Sequence, residues 1–399
     1  MSRQWSSSSR LLFLQLVCGT LAGVLPAVAT GEVITVRSDG TGDFPSIQAA
    51  VDAAIDGDIL QASGVFHETV VIPGKDLSLE GIGEAVLDAN LQGTALRFES
   101  GSACEIRSLT IRRGLGEQYE VGGLDLRPGA EVTLTDCILE ENASDLGSAV
   151  ASVDAGSTLV LENCLVRENS GDTSYGIIGS AGSLTVSDCE VTQNQGATAI
   201  LVFEGDARVV GNTIADNDAG RSWAGGIGVS GSGRVEVLGN VIRNCVGLTG
   251  GIAAEPVDGT NFVVAYNTLF GNRASSSGGQ AHLTGVRGGE IHNNLLVGGD
   301  GYSLVLLDSN VSFSCNDVWS TEGVPLYHGD DLTRTSGNIS VDPLFCDGDE
   351  LCLSQASPCL AGNHPDGYEC GTIGAREDCC DPTPVEERSW GQVKSLFRP

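Results

Sequence analysis

The chain repeats one pattern of alternating apolar and polar residues every 22 to 28 positions. In each repeat the alternation leads to a single Cys or Asn, which is followed by one free position and then an aliphatic residue, as in the run from Val132 to Leu139. Alternation with a period of two indicates a β-strand. The recurring residues form a column: Cys137, Cys164, Cys189, Asn212, Asn240, Asn267, Asn294 and Asn316. A repeat of this length predicts a solenoid.

Each repeat is too short for a strand and a packed helix with their connections, which need about 30 residues. It is long enough for about three short strands with turns. The sequence therefore predicts an all-β chain that folds as a parallel β-helix of roughly nine coils. An antiparallel sandwich is the alternative, but its strands would not keep one column through so many repeats.

The column residues are expected to stack about 4.8 Å apart and to form a ladder at a tight turn. Asn tolerates the left-handed backbone conformation that such turns require. Stacked amides can both donate and accept along the ladder, and Cys at the same position acts as a small buried apolar residue. A second column five residues later predicts a second turn of the same kind: Asn142, Asn169, Asn194, Asn217, Cys245 and Asn272.

The start of the chain has the pattern of a cap over the open end of a solenoid. Ser46 is a good N-cap for a short helix, and a solenoid needs such a cover. The apolar face of this helix follows helical spacing: Ile47, Ala50, Val51, Ala54 and Ile55. We expect the cap to cover residues 30–76 and the coils to cover residues 77–337.

Two motifs near the start carry a family resemblance. The segment from Val36 to Ala54 is similar to the beginning of pectin methylesterases, and Gly64-Val-Phe66-His-Glu68 resembles their Gly-x-Tyr-x-Glu. Together with the column, the chain resembles the right-handed parallel β-helix of the pectin-lyase-like superfamily. The catalytic parts of the esterases, namely two Gln, two Asp in an aromatic-rich segment and an Arg near a Trp, are absent. The catalytic motifs of polygalacturonases are absent as well, so the resemblance implies a fold and no specific activity.

The end of the chain has few strand patterns and many cysteines. Residues 338–380 resemble the closing segment of many secreted bacterial β-helix proteins and are expected to form a second cap. Six cysteines lie there: Cys346, Cys352, Cys359, Cys370, Cys379 and Cys380. We expect at least two disulfides among them, with Cys346–Cys352 and Cys359–Cys370 favoured, and reduced thiols in the column. A metal site is the alternative, but apart from His364 no His has ligand-like spacing.

Both termini indicate export. Residues 1–29 read as a signal peptide, with Arg3 and Arg10 before an apolar run and a small-x-small site ending at Ala29. A lipoprotein anchored through Cys18 is the weaker alternative. Residues 381–399 form a linker and tail similar to short terminal tags of exported bacterial proteins, or else a plain disordered tail. No later stretch is long and apolar enough to span a membrane, so we expect a secreted or cell-surface protein.

The charge of the chain restricts its partners. It carries 21 basic and 52 acidic residues, a net charge of −31. A field of this sign disfavours nucleic acid and anionic lipid, and it disfavours bare polyuronates unless a cation bridges them. No cofactor or metal motif is present, and calcium is the one cation left open. We expect a monomer.

One strand in most repeats begins with Gly, as in Gly122-Gly-Leu-Asp-Leu126, and we call these the Gly-marked strands. No catalytic pair emerges from the residues expected to point outward on them. That row reads Asp125, Ser152, Ile178, Leu201, Gly228, Ala253, His282 and Val305. It is mostly small or apolar and holds one acid and one His that are several coils apart. Glycoside hydrolysis needs two carboxylates that face one bond, so no catalytic residue is assigned.

One cluster of side chains could bind a ligand. The loops before alternate Gly-marked strands carry Tyr119, Tyr175 and Trp223, which would lie about 10 Å apart on one edge. Aromatic faces flanked by charged groups suit sugar rings, and the cluster is completed by Arg112, Arg113, Glu117 and Arg221. The alternative is that the rings are buried loop anchors.

The predicted function is that of an exported, non-catalytic β-helix protein that binds polysaccharide or a cell-surface glycan. The alternative is a polysaccharide lyase, glycoside hydrolase or pectinesterase-like enzyme with a diverged site at the same edge.

Overall fold

The computed structural model describes residues 31–171, 175–231, 233–256, 261–276, 278–320, 326–348 and 350–380. The expected signal peptide and the expected tail at residues 381–399 lie outside these ranges. Within them the chain winds as a solenoid whose successive coils pair in parallel register. No helix in these ranges is long and apolar enough to cross a membrane.

Each coil contributes one strand to each of three faces, which we call sheets 1, 2 and 3. Sheet 1 leads into the first column and sheet 2 follows it. The strands of sheet 1 are Val33–Arg37, Asp58–Phe66, Asp76–Asp88, Ala103–Arg107, Glu131–Thr135, Thr158–Glu162, Ser183–Ser187, Ala207–Val210, Arg234–Leu238, Asn261–Ala265, Arg287–His292 and Asn310–Ser314. Those of sheet 2 are Thr110–Arg112, Ile138–Glu140, Leu165–Arg167, Glu190–Thr192, Thr213–Ala215, Val241–Arg243, Thr268–Phe270, Leu295–Val297 and Asp317–Trp319. The long strand Asp76–Asp88 runs through both sheets and joins them.

Sheet 3 lies after the second column, beyond the loops of each coil. Its strands are Val70–Ile72, Leu96–Phe98, Leu124–Leu126, Ala151–Val153, Ile178–Ser180, Ile200–Val202, Ile227–Gly231, Ile252–Pro256, Ala281–Thr284, Leu304–Leu307 and Tyr327–His328. Four short strands pair at the corner before it: Leu115–Gly116 with Ala143–Ser144, and Val246–Gly247 with Arg273–Ala274. The result is an all-β solenoid of about ten turns, one more than the spacing indicated.

The interior of the solenoid is filled by the inward half of each strand. In Glu131–Thr135, Val132 and Leu134 are buried, while the residues between them face outward. The same alternation repeats along sheets 1 and 2 and produces one continuous apolar core. Because the coils stack in register, each inward side chain packs on its counterparts in the coils above and below.

The first column is a hydrogen-bonded ladder that runs through the core. Asn240 donates from its backbone N–H and from Nδ2 to Oδ1 of Asn267, both at 2.9 Å, and Asn267 repeats this towards Asn294. The column residues are all buried: Cys137, Cys164, Cys189, Asn212, Asn240, Asn267, Asn294 and Asn316. The ladder ends one step later than the sequence indicated, because Asn316 donates in the same way to Asn338.

The left-handed residue of this turn was assigned to the wrong position. The residue before each column residue, and not the column residue itself, has a positive φ, as at Asp136 (56°), Asn163 (51°) and Asp188 (52°). The column side chain points into the core, where its amide completes the ladder. The residue that precedes it, which is exposed at Asp136, Asn163 and Asp188, makes the turn and therefore takes the unusual backbone conformation.

The second column is a similar ladder with one weak step. Asn142, Asn169 and Asn194 each donate from the backbone N–H and Nδ2 to the next Asn Oδ1, at 2.9 to 3.1 Å. At Cys245 the ladder bond is replaced by a sulfur 3.9 Å from Asn217 Nδ2, which still donates to the Val191 carbonyl at 2.8 Å. The six thiols Cys104, Cys137, Cys164, Cys189, Cys245 and Cys359 are free and buried.

The first end of the solenoid is covered by the helix Ile47–Ala53. The Ser46 side chain caps it by accepting from the Ala49 N–H at 3.1 Å, and Glu68 accepts from the Ile47 N–H at 2.7 Å. Ile55 does not belong to the buried face, because the helix ends before it and its side chain is 62% exposed.

The cysteine-rich segment folds back over the outer face of sheet 2. Ile339, Leu353 and Ile373 pack there on Leu295 and Val297, which point away from the solenoid core. This segment therefore extends the apolar packing to the outside of the last coils.

The expected disulfide pairs are wrong. Cys315 pairs with Cys370, Cys346 with Cys380, and Cys352 with Cys379, while Cys359 is free. Cys346 and Cys352 do lie side by side, with the Cys346 N–H donating to the Cys352 carbonyl at 3.0 Å. Each bonds to one of two consecutive cysteines, so the end of the segment is stapled by two bridges, and the third ties it to the last coil.

Candidate functional site

The register of sheet 3 sets which residues face outward from the solenoid. Gly179 pairs with Ser152 on one side and Leu201 on the other, so these three lie in one outward row. Ile178, which was expected in this row, points inward, because neighbouring residues of a strand face opposite sides. The outward row is Val71, Arg97, Asp125, Ser152, Gly179, Leu201, Gly228, Ala253, His282 and Val305.

Two glycines in this row lie beneath aromatic rings. A β-carbon at Gly179 would lie 3.5 Å from Cε2 of Phe203, and one at Gly228 would lie 3.0 Å from Cε3 of Trp223. Both rings therefore lie against the outer face of sheet 3. Leu201 lies between the two glycines in the row, and its side chain is almost fully buried.

Three rings are in direct contact along this face. The centroids of Tyr119 and Tyr175 are 6.3 Å apart, and those of Tyr175 and Phe203 are 5.9 Å apart, both with edge-to-face geometry. The expected separation of about 10 Å for two coils is wrong for Tyr119 and Tyr175, because their side chains lean towards each other. Tyr119 is 73% exposed and Tyr175 is 39% exposed, so neither ring is a buried loop anchor.

We call Tyr119, Tyr175, Phe203 and Trp223 the aromatic strip. Phe203 was not predicted, because it follows the strand Ile200–Val202, whereas the predicted aromatic residues all lie in loops before strands. The available signal was Gly179 in the preceding coil, which pairs with Leu201 two residues before Phe203 and leaves that part of the outer face without a side chain. Leu146, in the coil between those of Tyr119 and Tyr175, adds an exposed apolar side chain to the same loop edge.

Arg112 and Arg113 have a different partner from the one expected. Arg112 Nε lies 3.1 Å and Arg113 Nη1 lies 3.2 Å from Oδ2 of Asp88, whose side chain is fully buried. Arg113 also donates to Asn90 Oδ1 at 2.7 Å. A buried carboxylate is costly unless it is paired, so these two guanidinium groups stabilise the corner of the coil.

The other two predicted charged residues do lie in loops of the strip. Glu117 is exposed in the loop of Tyr119, and Arg221 is exposed two residues before Trp223. Asp172, three residues before Tyr175 in the sequence, lies outside the described residues.

One end of the strip meets a charged cluster. Arg97 Nε and Arg127 Nη2 each lie 2.9 Å from Oδ2 of Asp125, and Arg97 Nη2 lies 3.7 Å from Glu120. The pKa of Asp154 is raised by burial and, secondarily, by the negative charge of Asp125, against the effect of Arg127. The cluster therefore holds one carboxylate fixed between two cations and a second that retains its proton more readily than usual.

The structure offers no metal centre within the ranges that it describes. No three His, Cys, Asp or Glu side chains there are arranged to hold an ion. Two histidines lie in strands of sheet 3. His282 Nε2 is 3.1 Å from Thr284 Oγ1, and the centroid of the His328 ring is 5.0 Å from that of the Tyr302 ring.

Comparisons with known proteins agree with the coil geometry. A family model described as a right handed beta helix region matches residues 85–238 and 123–318, which together cover more than half of the 399 residues. No curated protein matches the chain.

Among solved structures, the pectate lyase Pel9A is similar with a TM-score of 0.50 and 13% identity, over 88% of this chain and 98% of that one. A pectin methylesterase from carrot aligns with a TM-score of 0.33 and 13% identity, over 84% and 94% of the two chains. At such identity the likeness to the lyase shows the fold alone. The parallel coils, the ladders and the family match together place this chain in the right-handed β-helix family, with a pectin-lyase-like fold.

Proposed function

We propose that this protein binds a polysaccharide along the outer face of sheet 3 and does not cleave it. The observation that carries the proposal is the contact between the partly exposed rings of Tyr119, Tyr175 and Phe203. A sugar ring presents C–H groups on its faces, and an aromatic ring offers a flat apolar surface with a negative face. Several such rings in a row suit a polymer of sugars.

The length of the strip supports a polymer and not a single sugar. Trp223 precedes the strand that lies four coils after the strand that follows Tyr119. At about 4.8 Å per coil, this is a distance of about 19 Å. The surface is also open and follows the helix axis, so an extended chain can lie along it without entering a closed pocket.

The surroundings of the strip support binding without cleavage. Hydrolysis of a glycoside needs an acid and a second carboxylate on either side of the bond. Asp125, the one acid in the outward row of sheet 3, is held by Arg97 and Arg127. The second candidate function is a lyase, hydrolase or esterase-like activity, and its specific support is Asp154, whose raised pKa would suit a proton donor.

The disulfides support the expected site of action. Three bridges close the last coils and the segment that packs on sheet 2. Disulfides persist in oxidising surroundings, outside the cytoplasm. A secreted or cell-surface location is therefore part of the proposal.

The strip can be tested by binding measurements with purified protein. Wild type is expected to be retarded by at least one polysaccharide in affinity electrophoresis, and the double variant Tyr119→Ala/Tyr175→Ala is expected to bind about 5- to 150-fold more weakly. Each lost ring contact is worth about 0.5–1.5 kcal/mol, and 1.4 kcal/mol corresponds to a factor of ten. The melting temperature should change little, because both rings are partly in solvent.

Tyr266→Ala is the matched control. Its ring is 44% exposed and has an edge-to-face neighbour, His292, but it lies at the turn between sheets 1 and 2. This variant should bind like wild type. Equal binding by wild type and the double variant would overturn the strip, and release of sugar fragments during incubation would favour the catalytic alternative.

A further inference from the structure

We infer that the aromatic strip takes glycans without carboxylate or sulfate groups and rejects acidic polysaccharides. This inference rests on the proposed function and specifies the chemical class of its ligand. The observations that carry it are the positions of charged side chains along the strip and the partners of those charges.

Exposed carboxylates accompany the strip. Glu117 lies in the loop of Tyr119, Asp145 lies in the loop of the next coil beside Leu146, and Glu204 directly follows Phe203. None of the three carboxylates has a hydrogen-bond or ion-pair partner among the residues that the structure describes. A ligand on the rings would therefore lie near acidic side chains that no described cation pairs.

The cations near the strip do not offset these charges. Arg97 and Arg127 both point to the same oxygen of Asp125 and are already paired. Arg221, at the Trp223 end, is exposed and has no ion-pair partner within the described ranges, and it lies three residues after Asp218 in the chain. An acidic polymer on the strip would face repulsion along its length and find one unpaired guanidinium at one end.

The long-range field acts in the same direction. The whole chain has a net charge of −31, and a field of one sign changes the local concentration of charged ligands. Stacking of uncharged sugar rings on aromatic side chains does not depend on this field. The strip can therefore bind a neutral polymer strongly while it excludes a charged polymer with the same backbone.

The test uses polymer pairs that share a backbone and differ in charge. Suitable pairs are dextran with dextran sulfate, hydroxyethyl cellulose with carboxymethyl cellulose, and methyl-esterified with de-esterified homogalacturonan. A chelator removes calcium, which could bridge two acidic partners. Binding is measured at about 10 mM and at about 1 M salt, where the screening length falls from about 30 Å to about 3 Å.

At low salt we expect the neutral member of at least one pair to bind, and its acidic partner to bind at least tenfold more weakly. At high salt the difference should largely disappear. The triple variant Glu117→Gln/Asp145→Asn/Glu204→Gln should gain affinity for the acidic member and keep the affinity of wild type for the neutral one.

A second triple variant, Glu131→Gln/Glu162→Gln/Glu290→Gln, serves as the control. It removes the same number of charges from exposed positions of sheet 1 and should leave the discrimination unchanged. Equal binding of both members at low salt, or the same gain in the sheet 1 variant, would overturn the inference.

The two proposals fail in distinguishable ways. Binding of acidic polymers that is lost in Tyr119→Ala/Tyr175→Ala would overturn the charge inference and leave the strip intact as a binding site. Absence of binding to every polymer in the set, or binding that survives loss of both rings, would overturn the proposed function itself.

Discussion

Replacement of Asn267 by Ala is expected to lower the free energy of unfolding by about 3–5 kcal/mol, because each buried polar group left without a partner costs about 1–3 kcal/mol. Oδ1 of Asn267 accepts from both the backbone N–H and Nδ2 of Asn240, and its own Nδ2 donates to the Val237 carbonyl at 2.8 Å. Asn267 also donates to Asn294. Ala cannot replace any of these bonds, and the buried N–H of Asn240 loses its acceptor.

The effect can be measured by denaturant unfolding, with Asn261→Ala as the control. Asn261 lies six residues earlier in the same coil, and its side chain is exposed at the start of a sheet 1 strand. That variant should lose less than about 1 kcal/mol, as is usual for surface substitutions. A loss for Asn267→Ala as small as that of the control would mean that the ladder does not stabilise the solenoid.

The second large effect concerns the buried carboxyl of Asp317, where the last coil meets the cysteine-rich segment. Burial raises the pKa of Asp317 from 3.8 to about 7. The N–H of Val341 donates to Oδ1 at 3.1 Å, and the Cys359 thiol donates to Oδ2 at 3.2 Å. The nearby charge of Asp342 raises the pKa further. The groups that lower this pKa are the two hydrogen-bond donors, and no positively charged group is among them.

The sign of the pH dependence follows from these values. Because the folded protein holds the proton more tightly than the unfolded chain, the protonated form favours folding. The stabilisation that the protonated Asp317 carboxyl gives is fully present below about pH 4 and is lost as the pH rises through about 7. A difference of about three pKa units corresponds to about 4 kcal/mol.

Asp317→Asn removes the titration and keeps the shape of the side chain. The free energy of unfolding of this variant, relative to wild type, should rise from near zero at pH 4 to about 4 kcal/mol at pH 8. Asp330→Asn, at an exposed position in the same part of the chain, should show no such rise. A constant difference between Asp317→Asn and wild type across this range would contradict the account.

The repeat spacing was sufficient to predict the parallel coils and the first ladder, because a ladder needs one side chain at the same place in every coil. Asn338 was missed as a ladder residue because its surroundings in the sequence match a closing segment and not a coil. The residue with positive φ was misplaced because the pattern marks the buried Asn and not the exposed residue that makes the turn. In both cases the repeating pattern was identified correctly, but the position of the ladder's end or of the left-handed residue was not.

The disulfide pairs and the contacts of the aromatic strip could not be predicted from the repeat, because the repeat does not determine which side chains of different segments meet. Cys315 was not considered as a partner because it precedes a ladder residue, and only the fold of the last segment over sheet 2 brings Cys370 to it. Arg112 and Arg113 looked available as ligand-binding groups because the buried charge of Asp88 lies about one coil earlier in the sequence. The loop position of Tyr119 and Tyr175 was predicted from the sequence. Their contact and the position of Phe203 depend on the directions of the side chains, which the sequence does not show.

The most direct test of the central claim is a crystal structure of the protein with a bound oligosaccharide from the neutral polymer that it retains most strongly. We expect sugar rings along the outer face of sheet 3, stacked against Tyr119, Tyr175 and Phe203. Sugar bound on the outer face of sheet 1 or sheet 2, with the aromatic strip bare, would contradict it.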